Sequence, residues 1–96
     1  MKRLVLRPLA RVDLDEIWDF IAHDDPNLAD SYLEAIRERM HLLSMHPDIG
    51  KRCDDVSPGL RRFPFDKYVV FYREDVDAIF VVRILHSARD IDNILG

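Results

Sequence analysis

Arg83 and His86 lie in the most apolar segment of the chain, Ala78-Ile-Phe-Val-Val-Arg-Ile-Leu-His86, and Arg89 follows closely. A cation in such a segment must face water, a partner or a site, because burying it alone is costly. The other reactive residue types form no recognisable set. His23, His41, His46 and His86 lack metal-ligand spacing, and His41 and His46 fall on different faces of a helix. Cys53 is the single cysteine, has no base beside it in sequence and reads as a buried or idle thiol. Gly50, Gly59 and Gly96 make no phosphate-cradling loop. No metal and no cofactor is expected. What remains is charge. Between residues 51 and 73, Lys51, Arg52, Arg61, Arg62, Lys67 and Arg73 stand against Asp54, Asp55 and Asp66. This local basic patch sits on a chain of net charge −4. The net sign argues against direct nucleic-acid binding, which leaves a partner contact or a solvated face.

The elements that must position these groups follow from periodicity. Lys67–Arg73 and Ala78–His86 are aromatic and β-branched runs joined by Glu74-Asp75-Val76-Asp77, a β-hairpin pattern. Leu4–Leu6 and Leu60–Phe63 read as further strands. Leu14, Ile17, Trp18 and Ile21 recur at helical spacing and predict a helix over 8–23 opened by Pro8. Asn27 is the expected cap of a second helix whose stripe Ala29, Leu33, Ile36, Met40 and Leu43 runs until Pro47. Residues 51–59 read as irregular, and Ser87 as the cap of a short helix over 88–95. The expected fold is α+β: a two-layer βααβββ domain, with a helical hairpin on one face of a mainly antiparallel sheet and a short C-terminal helix.

Period 2 places Phe80, Val82, Ile84 and His86 on one sheet face and Ile79, Val81, Arg83 and Leu85 on the other. Arg83 and Leu85 are therefore expected on the uncovered face, as a partner surface. Either Arg61 or Arg62 should join them, since adjacent strand residues point to opposite faces. Tyr68, Val70 and Tyr72 share one strand face and read as core, with a partner contact as the alternative; Trp18 reads as core. Asp13, Glu16 and Asp19 read as a solvated helix face.

Ninety-six residues with 48% hydrophobic content make one domain, residues 1–96. The uncharged apolar runs reach five residues, at 68–72 and 78–82. That is far short of the ~20 needed to cross a bilayer. The start, Met-Lys-Arg-Leu-Val-Leu-Arg, does not resemble a signal peptide. With one cysteine, the expectation is a cytoplasmic protein without a membrane partner.

Motifs across nearly the whole chain resemble the RelE/ParE superfamily of bacterial type II toxins, on its ParE side. They are Ala10-x-x-Asp13-Leu14-x-x-Ile17-Trp18, Ala29 with Tyr32-Leu33, and Leu43 with Pro47-x-Ile49-Gly50. Arg52-Cys53-Asp54, Gly59-Leu60-Arg61-Arg62-Phe63-Pro64, Tyr68–Tyr72 and Arg83-Ile-Leu-His86-x-x-Arg89-Asp90 complete the pattern. The resemblance implies the same fold, a ParD-like antitoxin as partner and a role in growth inhibition and plasmid stabilisation. ParE-like members poison DNA gyrase; RelE-like members cut mRNA on the ribosome.

RNA cleavage needs a base, an acid and cations for the phosphate. The RelE-like branch resembles a solution with lysines, arginines and a C-terminal tyrosine. Here Val69 stands where that branch often has arginine, and Ile91-Asp-Asn-Ile-Leu-Gly96 carries acid and no tyrosine. Arg83, His86 and Arg89 are the catalytic candidates if the chain is a nuclease. The expected function is gyrase inhibition by binding, with Arg61, Arg62, Lys67, Arg83, Leu85 and Arg89 as target- or antitoxin-binding residues. The alternatives are a ribosome-dependent mRNA endonuclease, or an inactive homologue that only binds antitoxin and represses its operon.

Overall fold

The computed structural model describes residues 1–95. β1 (Arg3–Leu6) leads into a helical hairpin, α1 (Pro8–Ala22) and α2 (Pro26–Met45). Then come β2 (Lys51–Arg52), β3 (Leu60–Phe65), β4 (Tyr68–Glu74), β5 (Ala78–His86) and α3 (Ile91–Leu95). Pro8 and Pro26 each open a helix, where a missing N–H is harmless. Asp25, not Asn27, caps α2: its carboxylate accepts from the Asn27 and Leu28 amides at 3.0 and 3.3 Å.

The strands form one sheet in the order β1-β5-β4-β3-β2, with β1 parallel to β5 and the other pairs antiparallel. The α+β expectation holds. The region expected to be irregular contributes β2, which pairs with Arg61 and Arg62. Pro64 lies beyond that pairing, so its missing donor breaks no ladder with β2. Asp66 turns the β3–β4 hairpin at φ 54°, a conformation aspartate tolerates better than most residues.

α1 and α2 pack on one face against Phe63, Val70, Tyr72, Ile79, Val81 and Ile84. Trp18 lies at the edge of this layer, 36% exposed, with Nε1 donating to Asp30 at 2.8 Å. Its place on the apolar stripe hid a polar handle that draws it outward.

The strict alternation expected along β5 fails at one point. Phe71 pairs with Arg83 but Tyr72 pairs with Val81, which leaves Val82 as an extra residue, a β-bulge. Ile79 and Val81 therefore share the helix face with Ile84, while Val82 and Leu85 face the other way. That second face is not bare. Leu60, Phe71, Leu85 and Cys53 are buried there, beneath Val56 and the α3 residues Ile91, Ile94 and Leu95. α3 is shorter than the helix expected from Ala88, and no helix of the described residues is long and apolar enough to cross a membrane.

Candidate functional site

β1 stops beside Val81, and the last bond of that pairing runs from the Arg7 amide to the Val81 carbonyl at 2.9 Å. Beyond it the edge of β5 has no neighbouring strand, and α1 crosses there. Asp13, 6% exposed, fills the place. Its carboxylate accepts from the Ile84 amide at 2.9 Å and from Nε and Nη2 of Arg83, each at 2.8 Å. Two parallel bonds to a guanidinium fix both orientation and charge. The bond to Asp13 holds the Arg83 proton still more tightly than usual, although burial opposes it.

Two expectations are thereby corrected. Asp13 is not on a solvated face, and Arg83 is not a free cation on an open one. Because the β1 pairing ends at Val81, Asp13 on α1 reaches the edge of β5 and engages Arg83 there. A substitution of Arg83 would strand a buried carboxylate, so Arg83→Ala is a stability variant before it is a functional one.

Further along α1 and β5, Glu16, Ile17, Phe20, Tyr68, His86 and Arg89 line a cleft of about 210 Å³. Phe20 is 76% exposed at its rim. His86, expected on the core face, is exposed at the strand end. Its Nδ1 accepts from the Ala88 amide at 3.1 Å, and its ring meets Tyr68 edge-on with centroids 5.5 Å apart. A neutral imidazole with Nδ1 engaged as acceptor carries its proton on Nε2. His86 and Arg89 are thus brought together, and Arg83 is kept apart from them in its pair with Asp13.

The basic segment divides the same way. Arg61 donates to the Gly50 carbonyl at 2.8 Å. Tyr72 Oη completes that knot, accepting the Gly50 amide and donating to the Pro47 carbonyl, both at 2.8 Å. A side chain at Gly50 would meet Tyr72 at 2.4–2.8 Å, which accounts for glycine there. Arg52 pairs with Asp54 at 2.8 Å, holding that carboxyl below its usual range with help from the Gly59 amide. Arg62 is the exposed member of the Arg61–Arg62 pair; with Lys51 it flanks a hollow formed by Ile49, Pro64 and Val69. Lys67, at the β3–β4 turn, lines another beside Phe20 and Leu28. Leu85, an expected contact residue, is 2% exposed. Cys53 is buried as expected, and burial raises its thiol pKa. Sequence reasoning missed Asp13 and Phe20 as parts of a site and favoured a core role over a partner contact for Tyr68. The signal for Phe20 was its place off the apolar stripe of α1.

The fold matches a solved structure of the chromosomal ParDE TA system from P. aeruginosa, with a TM-score of 0.77 over 90% of this chain and 96% of that one, at 24% identity. Toxin ParE1 of Mycobacterium tuberculosis is 34% identical over 93 residues, 94% of each chain. Toxin RelE3 of Caulobacter vibrioides is 34% identical over 91 residues, 91% of this chain and 96% of that one. The model of the ParE toxin of the type II toxin–antitoxin system parDE matches residues 4–91. The chain belongs to the ParE toxin family of type II toxin–antitoxin systems.

Proposed function

We propose that this toxin acts by binding DNA gyrase and that a ParD-like antitoxin neutralises it. The observation that carries the reading is the state of the cleft at the end of β5. Of the three nuclease candidates only His86 and Arg89 share the cleft: Arg83 is held apart by Asp13, and His86 Nδ1 is engaged by the Ala88 amide. Exposed Phe20, with Arg89 and Lys67 near it, suits contact with a protein surface better than bond cleavage. Induced without antitoxin, the chain should stop growth, with filamentation and a DNA-damage response before translation falls. Co-expressed antitoxin should restore growth. An immediate block of translation with cut mRNA would defeat this reading.

That result would favour the second one, RelE-like mRNA cleavage. Its support is Glu16 beside His86 and Arg89 in the cleft, and a relative named Toxin RelE3. Cytoplasmic residence follows from either target.

A further inference from the structure

Arg7 and Arg73 carry charge that no carboxylate neutralises among the described residues. The ion pairs there are Lys2–Glu74, Arg52–Asp54 and Arg83–Asp13. Arg7 lies over the Phe80 ring, 4.6 Å from its centroid. Arg73 donates to Ser57 Oγ at 2.6 Å and to the Pro58 carbonyl. These neutral partners orient both guanidinium groups and leave their charge intact. Both line a cavity of about 470 Å³ whose apolar lining includes Leu9, Val82, Ile94 and Leu95. Leu9, on its wall, is 57% exposed. Arg83 borders the same cavity, but its charge is taken by Asp13. The result is an apolar groove with two oriented, uncompensated cations, on a chain that is acidic overall.

We propose that this groove, between the start of α1, β5 and α3, is where the antitoxin docks, and that it receives an apolar side chain flanked by carboxylates. The proposal rests on the toxin–antitoxin reading and adds the surface and its chemistry. Carboxylates facing Arg7 and Arg73 speed encounter and select the partner. The buried apolar side chain sets the residence time.

The probe is a purified full-length ParD-like antitoxin, titrated calorimetrically onto the full-length toxin at low and high salt. Leu9→Asp should weaken binding about 100-fold, because it places a charge where an apolar anchor sits. Arg7→Ala and Arg73→Ala should each weaken it about 5- to 10-fold at low salt and less at high salt. Thermal melts establish that each variant is folded; Arg7→Glu replaces Arg73→Ala if loss of the Ser57 and Pro58 bonds unfolds the latter. The paired change Glu34→Ala, Arg37→Ala, on the exposed side of α2, should leave affinity within about twofold. Wild-type affinity in folded Leu9→Asp and Arg7→Ala, or loss of binding in the Glu34, Arg37 variant, overturns this surface and leaves the toxin–antitoxin reading standing. A wild-type chain that does not bind the antitoxin overturns that reading and the groove with it.

Discussion

The two faces of the sheet are built to different standards. One is covered by α1 and α2, 15 and 20 residues long, over a continuous core from Ala10 to Ile84. The other buries Cys53, Leu60, Phe71 and Leu85 under a five-residue helix whose own apolar residues stay partly exposed. A helix that short has little stability of its own and depends on those contacts. The cations follow the same division. Arg61 and Arg83, tied to backbone carbonyls and to Asp13, brace the ends of the helix layer. Arg7, Arg62, Arg73 and Arg89 keep their charge toward solvent-facing hollows. Stability is concentrated on one face, and cations without a carboxylate partner lie on the other and around its rim.

Breaking the braced side should cost most. Asp13→Ala leaves Arg83 without its carboxylate and the Ile84 amide without an acceptor, and should cost about 3 kcal/mol in denaturant unfolding. A loss below about 1 kcal/mol would mean the pair adds no more than an exposed one does. Tyr72→Phe, which orphans the Gly50 amide and the Pro47 carbonyl, should cost about 1–3 kcal/mol by the same measurement. Gly50→Ala should fall in a similar range through overpacking against Tyr72.

Across the sheet the effects should shrink. Ile94→Ala removes a half-buried contact and should cost about 1 kcal/mol; a loss as large as that of Asp13→Ala would erase the contrast between the faces. The smallest expected effect is a pH dependence. Burial holds the Cys53 thiol above its usual pKa, so the folded state binds its proton more tightly than the unfolded state. The stabilisation is complete below the thiol's unfolded pKa, about 8.5, and fades as pH rises through the higher folded value. Thermal midpoints of wild type should fall between about pH 8 and 10, and Cys53→Ala should flatten that fall.

The helical hairpin, the strand hairpin and the family were legible because each leaves a local periodic signal. Pro8 and Pro47 bracketed the helices, and Tyr68–Tyr72 and Ala78–His86 declared their strands. The site was legible only in part. Nothing in the composition of Val82-Arg83 announces a bulge, and a single extra residue reverses every later side chain. The bond between Asp13 and Arg83 spans 70 residues and exists because β1 ends at Leu6, a tertiary fact. Leu85 looked like an exposed contact because α3 was too short to weigh as a cover. His86 and Arg89 could be singled out from charge in an apolar context, but their sharing of a cleft with Glu16 and Phe20 depends on how α1 crosses β5.

The proposed mode of action is occupation of a protein target and not RNA cleavage. The direct test is DNA supercoiling by purified gyrase with increasing toxin, alone and with antitoxin, run beside cleavage of ribosome-bound mRNA. Supercoiling should be lost near stoichiometric toxin and recovered on adding antitoxin, and the mRNA should stay intact. Normal supercoiling together with cut mRNA would contradict that mode of action.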